Sequence, residues 1–114
     1  MIDRIRFKEN FVYLDKEVII EIIDIFLSEY QDRLKNIQQN ITDNDIHQLK
    51  FNAHSLKGVI ANFMDPVTIE LSRILDDKAK HNDLINIQDL VNNLTKESEV
   101  LAQELREIRI ELTS

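Results

Sequence analysis

A chain of 114 residues, 43% hydrophobic and 31% charged, has the size and balance of one soluble globular domain, without material for a core plus a deep cofactor cleft. A formal net charge of −7 and a pI near 4.9 repel phosphate backbones and anionic lipid, which excludes nucleic acid and membrane surfaces as partners. The absence of cysteine excludes disulfides, thiolate metal sites and cysteine nucleophiles, and one glycine and one proline leave little for tight turns or hairpins.

Taken in chain order, residues from about Phe7 to Leu14 are expected to form a short leading helix. The basic residues before it, Arg4 and Arg6, are not followed by the long apolar run of a signal peptide. A long helix is predicted from about Lys16 to Asn40, on the stripe Ile19, Ile22, Ile23, Phe26, Tyr30, Leu34, Ile37 and Ile41. Its most apolar stretch, Val18 to Leu27, carries Glu21 and Asp24 and is too short to span a bilayer, so the expected location is the cytoplasm. Thr42-Asp43-Asn44-Asp45 interrupts the pattern and offers several N-cap side chains.

The third helix is expected from about Ile46 to Phe63, with Ile46, Leu49, Ala53, Leu56, Ile60 and Phe63 inward. Asp65-Pro66 reads as an N-cap followed by proline at the first helical position. It opens a fourth helix, about Pro66 to Lys80, that buries Val67, Leu71, Ile74 and Leu75. After the polar connector His81-Asn82-Asp83, a last helix from about Leu84 to Leu112 carries the stripe Ile87, Leu90, Val91, Leu94, Leu101, Leu105, Ile108 and Leu112. Ser98 within that stripe is expected to mark a looser contact. Four substantial helices with short connections predict an all-α fold, an antiparallel up-down four-helix bundle with a short additional N-terminal helix, as a single domain over residues 1–114.

The third helix carries the residues of chemical interest. On a wheel of about 100° per residue its core stripe centres about 130° from His54, which is therefore outward-facing. Lys50 and Phe51 precede His54 by one turn, Lys57 and Gly58 follow it by one turn, and Ala61 and Asn62 continue the face. Gly58, the one glycine in the chain, sits mid-helix, where it costs about 1 kcal/mol relative to alanine. It either opens the approach to the imidazole or lets a neighbouring helix pack closely. Lys57 is either a counter-charge for an anion on the ring or an ordinary solvated lysine. Phe51 is either a docking aromatic or a residue covered by the leading helix.

Ala53-His54-Ser55-Leu56-Lys57-Gly58, continuing Val59-Ile60-Ala61-Asn62-Phe63, resembles the signature of histidine-containing phosphotransfer (HPt) domains, A-H-x-L-K-G followed by small residues, an apolar residue and a glycine. Ile25-Phe26-Leu27 looks like that family's second helix, and Leu71-Ser72-Arg73-Ile74-Leu75-Asp76 like the helix after the phosphorylated one. The resemblance implies a four-helix bundle, a phosphorylatable His54, and supporting roles for Lys57 and Gly58. The outward face around His54, with Lys50, Phe51, Ser55, Ala61 and Asn62, is expected to be the surface on which the partner docks. One departure is Met64, which stands where the family usually has a second glycine. A glycine there permits a left-handed stop, so the turn before Pro66 is expected to differ.

The reaction so implied is phosphoryl relay in a multistep two-component pathway. A histidine imidazole, a nucleophile at neutral pH, accepts a phosphoryl group and passes it to or from the aspartate of a response-regulator receiver domain. The expected partners are that receiver domain and a sensor or hybrid histidine kinase. The protein would act as a monomeric phosphocarrier without cofactor or ATP site, and Mg²⁺ would belong to the receiver. His47 and His81 read as surface residues, since no H-E-x-x-H or H-x-x-E-H pattern is present and His47 lies about 10 Å along the helix from His54. No metal site is expected. Met1 reads as a natural start, although the sequence is equally compatible with a piece of a hybrid kinase. The rival from another class is a helical scaffold that is never phosphorylated. A dimerising kinase histidine domain fits poorly, because Ser55 and Leu56 stand where an acidic residue and then a proline would follow the histidine.

Overall fold

The structure, a computed structural model, describes residues 1–114. It is all-helical: α1 (Arg4–Asn10), α2 (Lys16–Thr42), α3 (Ile46–Ile60), α4 (Pro66–Lys80) and α5 (Ile87–Thr113), with one 3-10 turn, Ala61–Phe63, closing α3. Each of the four long helices packs on its sequence neighbour, and α5 returns to α2, which closes the antiparallel up-down bundle predicted above. The return is visible at both ends. Arg109 near the end of α5 donates to Asp24 near the start of α2 at 2.6 and 3.1 Å, and Gln38 and Gln88 exchange amide hydrogen bonds at the opposite end.

The core follows the predicted stripes of α2, α3 and α5. Ile23, Phe26, Tyr30, Leu34 and Ile37 of α2 meet Leu49, Ala53, Leu56 and Ile60 of α3 and Val91, Leu94, Leu101, Leu105 and Ile108 of α5. Phe26 stacks on Tyr30 at 5.2 Å and meets the edge of Phe63 at 5.0 Å. The buried Tyr30 keeps a partner by donating to Glu99 at 2.8 Å. Each such fully buried apolar side chain contributes about 1.5–3 kcal/mol. No helix is long and apolar enough to cross a membrane.

The leading helix is displaced toward the N-terminus of its expected span. Asp3 accepts a hydrogen bond from the Arg6 N–H and so starts α1 at Arg4, and the chain turns after Asn10. Ile2, Phe7 and Phe11 are buried at the end of the bundle where α5 finishes, and the two phenylalanines contact edge to face at 4.8 Å. Of the candidate caps before α3, Asp45 serves, accepting from Gln48 N–H. α5 starts at Ile87 because Asn86 is left-handed (φ 58°).

α4 differs from expectation in the face it buries. Val67 is 43% exposed and Leu71 and Ile74 are only partly covered, whereas Thr68, Ser72, Leu75, Asp76 and Ala79 are buried. Small side chains on this face allow close approach to the neighbouring helices. The two hydroxyls lose little by burial, because Thr68 donates to the Asp65 carbonyl and Ser72 to the Ile69 carbonyl. Ser98 also corrects its expectation: it is 1% exposed within the α5 stripe, a tight contact that leaves its hydroxyl unpartnered.

Met64 corrects the expected turn. It adopts the left-handed conformation that a glycine would take there (φ 56°, ψ 37°), at a cost on the order of 1 kcal/mol for a residue with a side chain. Its neighbours hold it in place. Phe63 is buried on one side, Asp65 caps α4 by accepting from Val67 N–H on the other, and the Met64 carbonyl accepts from Asp3 N–H at 2.8 Å.

Candidate functional site

The site lies where the outer face of α3 meets the buried face of α4. His54 stands on α3 opposite the core stripe, and its side chain is 69% exposed. One turn later Lys57 leans toward α4 and is partly covered. From α4 the carboxylate of Asp76, 2% exposed, comes up beneath both. Its Oδ1 lies 3.4 Å from His54 Nδ1, and its Oδ2 accepts from Lys57 Nζ at 3.2 Å. Lys80, one turn beyond Asp76 on the same helix, places its Nζ 3.1 Å from the same Oδ2. Two helices thus bring four side chains to one point, an imidazole and an ammonium from α3 and a carboxylate and an ammonium from α4.

Burial works against the charge on Asp76, but the hydrogen bonds from Lys80 and Lys57 outweigh it and hold the carboxyl below its ordinary range. Asp76 is therefore an anion at neutral pH. The two oxygens are not equivalent. Oδ2 is shared by the two lysines, while Oδ1 is buried without a well-formed hydrogen bond and faces only the imidazole. A carboxylate can only accept, so this geometry favours the tautomer with its proton on Nδ1. No protein group bonds to Nε2, whose lone pair is then free on the exposed edge of the ring.

Gly58 lies on the open side of His54, and a Cβ added to it meets no atom within 4 Å. Close helix packing is therefore not what the glycine serves. Gly58→Ala is expected to stabilise the protein by up to about 1 kcal/mol, raising the melting temperature by about 2–5 °C, since alanine is the better helix former. A drop in melting temperature would contradict this placement. Gly58→Gln is expected to stay folded while shielding the imidazole from a partner.

The residues expected to form a docking face divide. Phe51 is 68% exposed and is not covered by α1, which sits at the end of the bundle. Ala61 and Asn62 are exposed in the 3-10 turn, where the Asn62 carbonyl accepts from the Asn10 side chain. Lys50 is half-buried at the rim. Ser55 turns toward α2 and accepts from Arg33 at 2.8 Å. His47 is exposed two turns before His54, and His81 is exposed beyond the end of α4, its Nδ1 2.8 Å from the Asp77 carbonyl.

Sequence reasoning named neither Asp76 nor Lys80 as a site residue. The available signal was an acidic residue in register with Thr68, Ser72 and Leu75 and followed at i+4 by a lysine, but it appears only once small and polar residues are allowed on the buried face.

A family model described as Hpt domain matches residues 21–111. No curated protein and no solved structure matches the chain. The matched span contains all four bundle helices apart from the first five residues of α2 and the last two of α5, and it includes His54, Lys57, Asp76 and Lys80. On that match, with the bundle it describes, the chain belongs to the Hpt domain family.

Proposed function

We propose that His54 is the phosphoryl acceptor of this domain and that Nε2 is the reacting atom. Hpt domains are phosphocarriers of phosphorelays, without an ATP site of their own, and the family implies response-regulator and kinase partners. The observation that carries the assignment is the exposed imidazole whose Nδ1 edge meets a buried, lysine-compensated carboxylate.

The transfer balances as follows. The Nε2 lone pair attacks phosphorus of an aspartyl phosphate on a receiver domain, the acyl O–P bond breaks, and the aspartate leaves with the electron pair as a carboxylate. The ring keeps its Nδ1 proton and becomes a phosphoimidazolium, with one positive charge on the ring and two negative charges on the phosphoryl group. Asp76 Oδ1 accepts from that N–H and stabilises the ring charge, while Lys57, at i+3 on the same helix face, serves the phosphoryl oxygens. Reversal of the same steps returns the group to an aspartate. Phe51, Gly58, Ala61 and Asn62 form the face on which the receiver docks, with Lys50 at its rim; Ser55, held by Arg33, supports the helix from the α2 side.

Incubation with a receiver domain carrying labelled aspartyl phosphate tests the assignment. Acid-labile, alkali-stable label on His54 is expected; a chain that never takes label is a scaffold. Lys57→Ala is expected to keep the fold, because Lys80 still pairs with Asp76, and to slow transfer roughly tenfold to a hundredfold, the size of one charge-assisted contact. An unchanged single-turnover rate would make Lys57 a partner of Asp76 alone.

A further inference from the structure

We infer that Lys80 is a positioning residue that holds the Asp76 carboxylate in place while Lys57 leaves it for the phosphoryl group on His54. The inference rests on His54 being the phosphoryl acceptor. Its ground is the doubled pairing at a single oxygen. Lys57 and Lys80 approach Asp76 Oδ2 at 3.2 and 3.1 Å, one from each helix. One ammonium suffices to pair with one carboxylate, so the second makes the first dispensable.

The two lysines are not interchangeable in reach. Lys57 shares a helix face with His54 at i+3, so the atoms that bond to the imidazole lie within its sweep. Lys80 shares α4 with Asp76 at i+4, so its pairing with the carboxylate is made within one helix. A buried carboxylate stripped of every cation is costly, and without Lys80 the departure of Lys57 would leave Asp76 in that state. Asp76 would then either retain Lys57, withholding it from the phosphoryl group, or lose its charge and its hold on Nδ1–H. With Lys80 in place, Lys57 can change partners while Asp76 stays charged beneath the ring.

The test uses the full chain with Lys80→Gln, Lys80→Arg, Asp76→Asn and the Lys80→Gln/Asp76→Asn double variant. Two readouts are required: the single-turnover rate of transfer from a phosphorylated receiver to His54, and the ¹⁵N shifts of the His54 ring before phosphorylation. Lys80→Gln is expected to leave the melting temperature and the Nδ1–H tautomer close to wild type, because Lys57 still holds Asp76 in the resting protein. Its transfer rate is expected to fall on the order of tenfold, with most of the loss restored in Lys80→Arg. In the Asp76→Asn background the same change is expected to matter within about twofold, because Lys80 acts through the carboxylate.

A Lys80→Gln variant that transfers at the wild-type rate overturns the inference and leaves the acceptor assignment standing. A full tenfold loss in the Asp76→Asn background overturns it as well, and assigns Lys80 to direct contact with the phosphoryl group. A wild-type chain that takes no label on His54 overturns the acceptor assignment, and this inference with it.

Discussion

His54→Gln is expected to abolish phosphoryl acceptance and leave the bundle intact. The imidazole is exposed and outside the core, so its replacement should change stability within about 0.5 kcal/mol. Glutamine also retains an N–H that can donate to Asp76 Oδ1, so the buried carboxylate is not left worse off. No other histidine can substitute: His47 and His81 are exposed, but neither has a buried carboxylate and a lysine gathered against its ring. The measurement is label incorporation from a phosphorylated receiver, alongside a thermal melt. Label retained at the wild-type level would place the acceptor elsewhere. A variant that fails to fold would show that the imidazole is part of the structural framework.

Asp76→Asn has the next largest expected effect, and it acts on both function and stability. The amide keeps the volume but removes the charge that faces His54 Nδ1 and that, in the proposed transfer, stabilises the phosphoimidazolium, so transfer is expected to fall roughly tenfold to a hundredfold. At pH 7 the variant is expected to be less stable by about 1–2 kcal/mol. That is smaller than the 3–5 kcal/mol typical of stranding a buried charge, because the two lysines are half-exposed and return to water.

The pH dependence has a definite sign. The folded-state carboxyl of Asp76 titrates below its ordinary value, so its contribution is present above the unfolded-state pKa of about 3.9 and is lost as pH falls through the folded-state value. The stability gap between wild type and Asp76→Asn should therefore be widest near neutrality and close below pH 4. A gap that persists unchanged at pH 3 would mean that asparagine disturbs packing rather than charge.

Much of the molecule was legible in the sequence because its signals are local. The stripes of α2, α3 and α5 are long and periodic, and Asp65-Pro66 caps α4 as such a pair should. His54, Lys57 and Gly58 share one face of one helix, so a wheel suffices to place them together. The errors arose where local signals were weak or overruled. Three of the four left-handed residues are asparagines, the common choice in a chain with one glycine, but Met64 is held left-handed by contacts from residues far away in sequence. The α1 boundary was set by the side chain of Asp3, ahead of the expected start at Phe7.

By itself, the sequence determined the helix class, the four bundle stripes apart from that of α4, and the outward placement of His54 with Lys57 and Gly58 beside it, because each depends on spacing within one helix. Only the tertiary structure decided which face of α4 is buried, and with it the partners of His54. Thr68, Ser72 and Ala79 make that face the one able to come close, against the pull of Val67 and Ile74, and this rotation carries Asp76 beneath the imidazole. A carboxylate on α4 and an imidazole on α3 are 22 residues apart in the chain, and no periodicity within either helix reports the angle at which two helices settle against each other.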